Sequence, residues 1–144
     1  MAKKKVCVSF DYEHDNQYYH LMKAWDRNHY SEFSFNDCTP TEIQTASVDV
    51  VKQVLSRKIH EANYMVAIIG DHSNERHPDS NEIGYRNWQA YEIAKNHEYG
   101  NGLVVVKLGM TNTPPAETRN IGAKFVTGFE PEKIVKALDE LAGN

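Results

Sequence analysis

Short apolar runs alternate with amphipathic stretches along the chain, and this alternation constrains the fold more than any other feature of the sequence. The clearest run is residues 64–69, Tyr-Met-Val-Ala-Ile-Ile, which leaves no polar face and stops at Gly70. Such a run is typical of a strand buried on both sides of a parallel sheet. Four other stretches are predicted to be strands: 5–10, 32–35, 103–108 and 124–126. Strands that alternate with helices form βαβ units, so the chain is predicted to be an α/β protein.

Between the predicted strands, apolar residues recur at helical spacing. The first helical face carries four of them: Tyr18, Leu21, Met22 and Trp25. Asp15 is predicted to cap this helix at its start, and the helix is predicted to end near Asn28. A second helical face carries five: Val48, Val51, Leu55, Ile59 and Ala62. A third helix around Trp88 and Tyr91, and a last helix that Pro131 opens, complete the alternation.

The length of 144 residues is close to the commonest size of a single domain, so one domain is expected over residues 1–144. Hydrophobic residues make up 40% of the chain, and its 8 glycines bring the apolar share into the globular range, which excludes wholesale disorder. We expect a flavodoxin-like three-layer sandwich whose five parallel strands lie in the order 2-1-3-4-5. Segments 36–45, 71–85 and 109–120 are expected to be irregular connections.

The charge and the cysteine content exclude several classes of function. Acidic residues outnumber basic ones by 20 to 16, which argues against a nucleic-acid partner because duplex-binding proteins carry basic stripes. The apolar run behind the lysine-rich start reaches only from Val6 to Phe10, which is too short for a secretion signal or a membrane span. Two cysteines, Cys7 and Cys38, cannot build a disulfide framework and are expected to be buried thiols in a reducing compartment. We therefore expect a soluble, cytoplasmic protein that does not contact a membrane.

The predicted topology also selects a site. In a sheet of this order, ligands bind beyond the carboxyl ends of the strands, at the crevice between strands 1 and 3. That rule points to segments 10–15, 36–45 and 70–85. The chain has neither a G-x-G-x-x-G motif nor a P-loop, so any nucleotide bound at this edge must be held in another way.

An indole and a carboxylate stand four residues apart on the third predicted helix, at Trp88 and Glu92. At that spacing, two side chains meet on one face of a helix. The indole could stack on a flat cationic ring, and the carboxylate could bind ribose hydroxyls or stabilise the positive charge that develops as a glycosidic bond breaks. On spacing alone, a core tryptophan beside a solvated acid is the favoured interpretation.

Two segments of the sequence resemble motifs of a known family. Residues 6–15, V-C-V-S-F-D-Y-E-H-D, resemble the opening strand of Toll/interleukin-1 receptor (TIR) domains, in which an apolar run leads to Ser-aromatic and then to acids. Residues 66–70 lead through a polar loop to W-Q-A-Y-E-I at 88–93, which is similar to a box in the bacterial TIR-like proteins of Thoeris antiphage defence. The similarity covers nearly the whole chain, and it implies a TIR-like version of the flavodoxin-like fold.

The resemblance implies an enzyme that consumes NAD+ by cleaving the nicotinamide–ribose bond, as an NAD+ glycohydrolase or an ADP-ribosyl cyclase does. The ADP-ribose would be hydrolysed, cyclised or passed to another acceptor, and NAD+ would be the substrate, with no cofactor and no metal. The family's catalytic glutamate falls on Glu92, and its aromatic partner falls on Trp88. The family's substrate-facing segment matches four residues: Ser9, Phe10, Asp11 and Tyr12. Asp37, at the exit of the second strand, is added to this substrate-binding set.

The resemblance also implies partners. We expect self-association through TIR–TIR contacts, and a downstream effector that recognises the nucleotide product.

Two other classes of function compete with an NAD+-consuming enzyme. A receiver domain would use Asp11, Asp37 or Asp71 to hold Mg²⁺ or to accept a phosphoryl group. It is disfavoured because Asp11 has no adjacent acid and because the fourth strand ends in Leu-Gly-Met, without a serine or threonine. A TIR-like scaffold that binds partners and catalyses nothing needs no special residue, so it stays open.

Several side chains in and beside the loop at 71–85 can be interpreted in two ways. Four of its side chains have the chemistry of metal ligands: Asp71, His72, His77 and Asp79. Because they lie on a loop and not on rigid elements, a solvated loop is favoured over a metal site. Arg76 and Arg86 are either ligands of a pyrophosphate or ordinary surface arginines.

Overall fold

The computed structural model of the protein describes residues 4–27, 33–38 and 47–143. Its centre is one sheet of five parallel strands in the order β2-β1-β3-β4-β5. The strands are β1 (Lys4–Ser9), β2 (Phe33–Asp37), β3 (Tyr64–Ile69), β4 (Gly102–Lys107) and β5 (Lys124–Thr127). The predicted α/β class, parallel pairing and strand order are therefore confirmed.

Helices cover both faces of the sheet. Their bounds are α1 (Tyr12–Arg27), α2 (Val48–Glu61), α3 (Ser80–Ile83), α4 (Trp88–Glu98) and α5 (Pro131–Leu141), and a 3-10 turn spans Ala116–Thr118. Met22 of α1 and Leu138 of α5 pack with one face of the strands. Ile59 of α2 and Ile93 of α4 pack with the opposite face. The result is the predicted three-layer arrangement.

The alternation of side chains along β1 decides what reaches the functional edge. Val6, Val8 and Phe10 belong to the core under α1 and α5, whereas Cys7 belongs to the core under α2 and α4. Because successive side chains of a strand point to opposite faces, Ser9 lies on the same side as Cys7 and faces α4.

The start of α1 differs from the prediction. The helix begins at Tyr12, so Asp15 lies inside its first turn and the prediction that Asp15 is the cap is wrong. Asp11 does the capping instead, because its Oδ1 accepts a hydrogen bond of 3.2 Å from the backbone N–H of His14. The predicted end near Asn28 lies outside the described residues.

Further boundaries shift, and two of these shifts lie near the predicted site. Strand β2 includes Asn36 and Asp37, which were predicted to belong to a loop. Position 32 of the predicted strand and positions 39–45 of the predicted loop lie outside the described residues. The connection at 71–85 contains the one-turn helix α3, which ends at Gly84 in the left-handed conformation that glycine adopts without strain.

The expectation of two separate thiols is wrong. Cys7 and Cys38 are buried, as predicted, but they form a disulfide between β1 and the residue after β2. Cys38 continues the pairing with β1, since its N–H donates to the carbonyl of Val8 at 3.1 Å. This brings the two Cα atoms to 5.4 Å, within the range that a disulfide spans. The prediction of a reducing compartment rested on free thiols and so loses its basis.

Among the helices of the described residues, none is both long enough and apolar enough to cross a membrane.

Candidate active site

Helix α4 presents a polar stripe to the sheet. Its buried residues include Gln89, Glu92 and Asn96, which recur at the i, i+3, i+7 spacing that a packed helix normally fills with apolar side chains. The start of the helix is fixed by Asn87, whose side-chain oxygen accepts from the N–H of Ala90 at 2.9 Å. The stripe therefore reaches the carboxyl ends of the strands in a defined register.

Glu92 is the acid of this stripe, and only 1% of its surface is exposed. The Ser9 hydroxyl at the end of β1 donates to Oε1 of Glu92 at 2.6 Å. Oε2 of Glu92 is buried and has no hydrogen-bond partner among the described residues. One oxygen of the carboxyl group is thus held in place, and the other is left unsatisfied.

Burial raises the pKa of Glu92 well above its usual range, and the nearby carboxylate of Asp37 raises the pKa further. The Ser9 hydrogen bond and the positive charge of Lys58 act in the opposite direction. An ionised Glu92 is therefore a high-energy group, and a positive charge placed against Oε2 would stabilise it.

Gln89, one turn before Glu92, spans the ends of two strands. Its Nε2 donates to the carbonyl of Ser9 at 3.1 Å and to the carbonyl of Ile68 at 2.9 Å. Its Oε1 is buried and has no partner within the described part of the chain. Gln89 was not predicted from the sequence, although its position three residues before Glu92 places it on the same helical face.

The predicted substrate-binding residues separate into different environments. Ser9 donates a hydrogen bond to Glu92, and the carboxylate of Asp37 lies close enough to raise the pKa of Glu92. Phe10 is buried in the core under α1, where its ring stacks on Tyr19 with centroids 5.2 Å apart. Asp11 caps α1 and also contacts His14 Nδ1 at 3.0 Å. Tyr12 opens α1, but its side chain is outside what the structure describes.

Trp88 is half-buried at the start of α4. Its ring meets Tyr91 edge-on at 5.6 Å between centroids and His77 at 6.3 Å, and it borders a core cluster that includes Leu55. The ring of Trp88 contacts these neighbours, and the carboxyl group of Glu92 is bonded to Ser9, so the pairing of indole and carboxylate around a substrate stays a prediction.

The polar groups of the loop at 71–85 mostly bind one another. His72 hydrogen-bonds to Glu75, His77 Nδ1 accepts from the N–H of Asp79 at 2.9 Å, and Asp71 accepts from Asn112 at 2.8 Å. Within residues 4–27, 33–38 and 47–143, no three side chains of the metal-ligand types form a group that could hold an ion.

The two arginines of this region also hold the loop. Arg76 donates to the hydroxyl of Ser80 at 3.2 Å, and Arg86 donates to the carbonyl of Asn74 at 3.3 Å. Both side chains are largely exposed and make these contacts inside the loop. These contacts favour the interpretation that both are surface arginines that stabilise the loop at 71–85, over the interpretation that they bind a pyrophosphate.

Asp15, which was predicted to cap α1, is a buried acid that lies against Gly70, the residue after β3. Asp15 is 6% exposed, and its Oδ2 has no partner among the described residues. Burial raises the pKa of Asp15, and the charges of Asp11 and Asp71 add to the effect. Its carboxyl group fills the space over Gly70, where an added Cβ would lie 2.5 Å from Oδ2.

A cavity of about 370 Å³ is lined mainly by residues of β1, β2 and the last turn of α2, and neither Ser9 nor Glu92 is part of its lining. Its lining includes the two groups whose charges act on Glu92, Asp37 and Lys58, together with Asn36 and Cys7. Its volume lies at the lower end of the range of about 300–1,000 Å³ that is typical of small-molecule pockets.

Residues 7–113 match the sequence profile of a family described as "Thoeris protein ThsB, TIR-like domain". The chain belongs to this Thoeris TIR-like family. The matched segment runs from β1 past β4 and includes Ser9, Gln89 and Glu92. The recognition from residues 6–15 and 88–93 is thereby confirmed.

Solved structures share the fold of this Thoeris TIR-like chain. A CMP N-glycosidase from Clostridium botulinum, BcmB, superposes with a TM-score of 0.59 at 10% identity, over 95% of this chain and 98% of the other. A 2-desoxiribosyltransferase from Leishmania mexicana superposes with a TM-score of 0.57 at 13% identity, over 98% of each chain. No curated protein has a sequence that matches this one.

Proposed function

We propose that this Thoeris TIR-like protein cleaves the bond between nicotinamide and ribose in NAD+, which is its substrate and not a cofactor. The observation that carries the proposal is the geometry of Glu92: a carboxyl group 1% exposed, fixed through Oε1 by Ser9 and without a partner for Oε2 among the described residues. Such a group is suited to stabilise positive charge in a site from which water is excluded.

In the proposed reaction, the bond between C1′ of the ribose and the ring nitrogen breaks, and its electron pair goes to the nitrogen. Nicotinamide leaves neutral, and the positive charge moves to the ribose. The carboxylate of Glu92 stabilises that charge, while the Ser9 hydroxyl fixes the orientation of the carboxylate. Water then adds to C1′ and releases a proton to solvent, or a hydroxyl or amine of another acceptor takes the place of water.

The comparisons support the class of chemistry. The family is named for a Thoeris TIR-like domain, and proteins of the same fold are named as a CMP N-glycosidase and a 2-desoxiribosyltransferase. The polar cavity beside Asp37 and Lys58 would receive part of the dinucleotide beyond the reacting ribose. Antiphage signalling through a nucleotide product, read by a downstream effector, is the biological role that we propose with it.

Incubation of the purified protein with NAD+, with chromatographic separation of the products, tests the proposal. Release of nicotinamide together with ADP-ribose, a cyclic isomer or a transfer product is expected. A full recovery of intact NAD+ over a range of protein concentrations, from a protein shown to be folded, would contradict it.

A further inference from the structure

The side-chain amide of Gln89 lies at the point where β1 and β3 stop pairing. The last paired position of these strands is Ser9 opposite Ala67, and the ladder does not continue to Phe10 and Ile68. Backbone carbonyls that leave a ladder in a buried place need other donors. Gln89 uses both hydrogens of its amide for this purpose, on Ser9 and on Ile68.

These two bonds also fix α4 relative to the catalytic edge. Gln89 and Glu92 are three residues apart, so their side chains lie side by side on the sheet-facing surface of the helix. Gln89 binds the main chain of Ser9, and Glu92 binds the side chain of the same residue. Ser9 is therefore held by α4 at two points, and its hydroxyl has little freedom to leave Oε1.

We propose that Gln89 is a positioning residue for the proposed reaction: by tying the carbonyls of Ser9 and Ile68 to α4, it holds the Ser9 hydroxyl on Oε1 of Glu92 and leaves Oε2 for the substrate. The proposal rests on the proposed function for its kinetic consequences. Its structural core, the control of the Ser9–Glu92 contact by Gln89, can be measured without turnover.

The same helix provides a matched control. Asn96 is 1% exposed, its Nδ2 donates to the carbonyls of Asn101 at 3.4 Å and Gly102 at 3.2 Å, and its Oδ1 is buried without a partner among the described residues. Loss of its amide thus removes the same kind of contact from the same stripe. Because Asn96 binds the start of β4 and not Ser9, its loss leaves the Ser9–Glu92 contact in place.

The experiment compares the wild type with Gln89→Met, Asn96→Leu and Ser9→Ala. The pKa of Glu92 is read from the NMR titration of its side-chain carboxyl carbon, and kcat/KM for nicotinamide release is measured as a function of pH. The Ser9 hydrogen bond lowers the pKa of Glu92, so both Ser9→Ala and Gln89→Met are expected to raise it and to move the acidic limb of the rate profile to higher pH. Asn96→Leu is expected to lower the melting temperature and leave both quantities unchanged.

A displaced carboxylate should also reduce kcat/KM at neutral pH by roughly tenfold to hundredfold in Gln89→Met. The double variant Ser9→Ala with Gln89→Met should be no worse than the more impaired single variant, because both changes act on one contact. If Gln89→Met does not fold, Gln89→Asn keeps the amide but is one methylene too short to span both carbonyls, and it should shift the titration in the same direction.

Two results separate the proposals. An unchanged titration of Glu92 in both Gln89 variants, with melting temperatures lowered as in Asn96→Leu, would overturn the positioning role whatever the activity is. A shifted titration in a protein that leaves NAD+ intact would sustain the control of Glu92 by Gln89 and contradict the proposed function.

Discussion

The Ser9 hydroxyl and the carboxyl group of Glu92 meet at 2.6 Å although 83 residues separate them in the chain. The contact joins the carboxyl end of β1 to the second turn of α4, on the side of the sheet that α2 and α4 cover. It is the most direct link between the fold and the proposed chemistry, because it holds one oxygen of a buried acid while the other has no partner in the described part of the chain.

Glu92 is expected to destabilise the fold when it ionises. Burial raises its pKa in the folded state, so the folded protein binds this proton more tightly than the unfolded chain does. Stability should therefore fall as pH rises from the usual glutamate pKa of about 4.3 through the raised folded value. Glu92→Gln removes the ionisation and keeps the shape, so its melting temperature should exceed that of the wild type at pH 8 and match it near pH 4.

Glu98→Gln is the control for this comparison, because Glu98 lies on the same helix but is 62% exposed. Its effect on melting temperature should be small and should not follow the titration of Glu92. A wild type as stable as Glu92→Gln at pH 8 would contradict the assignment of a buried, ionisable Glu92.

Removal of the Ser9 hydroxyl is expected to make NAD+ turnover more sensitive to acid. Without that donor the pKa of Glu92 rises further, so less of the enzyme carries the carboxylate at a given pH. The ratio of kcat/KM between wild type and Ser9→Ala should then increase as pH falls from 8 to 6.

Ser56→Ala is a matched control for Ser9→Ala, since the Ser56 hydroxyl bonds to the hydroxyl of Tyr91 on α4 at 2.8 Å and does not touch Glu92. It should leave the pH profile of the wild type unchanged. Equal profiles for Ser9→Ala and Ser56→Ala would refute a role of Ser9 in setting the charge of Glu92.

Gly70 and Asp15 are expected to be coupled in stability. A Cβ at Gly70 would lie 2.5 Å from Oδ2 of Asp15, so Gly70→Ala must displace a buried carboxyl group. Overpacking of this kind costs about 1–3 kcal/mol of unfolding free energy. In the background of Asp15→Ala the clash is gone, and the cost should fall below about 1 kcal/mol. Urea denaturation of the four proteins measures the coupling, and additive effects would show that Asp15 does not fill this space.

The architecture was predictable because both faces of the sheet are covered. Residues 64–69 are apolar throughout, as a strand between two helical layers must be, and the four buried residues of α2 are all members of the predicted helical face. Local patterning was less informative where polar side chains act at long range. Asp15 reads as a helix cap by spacing, but Asp11 takes that role and Asp15 is buried over Gly70.

The candidate site was predictable only in part. Glu92 and Ser9 were named from the family motifs, but their contact depends on the register of α4 over β1, which no local pattern gives. Gln89 was missed because a glutamine between Trp88 and Glu92 reads as a polar helix residue. The disulfide between Cys7 and Cys38 was missed because two cysteines 31 residues apart become neighbours only when β1 and β2 pair.

Turnover per molecule is expected to rise with protein concentration. The cavity beside Asp37 and Lys58, at about 370 Å³, is small for a dinucleotide, and self-association would supply further walls. Nicotinamide release per molecule should therefore increase between nanomolar and high micromolar protein, in parallel with the mass observed by light scattering. A flat specific activity over that range would contradict a shared pocket.

In the proposed reaction, the carboxylate of Glu92 stabilises the positive charge formed as nicotinamide leaves. Glu92→Gln keeps an oxygen for the Ser9 hydrogen bond and removes only the charge, so the variant should fold and bind NAD+. Loss of one preorganised electrostatic group costs roughly 10²–10³ in rate. The deciding measurement is the rate of nicotinamide release by folded wild type and folded Glu92→Gln at saturating NAD+. We expect a loss of at least roughly 10² in the variant, and equal rates from an active wild type and Glu92→Gln would contradict a role of this carboxylate in the reaction.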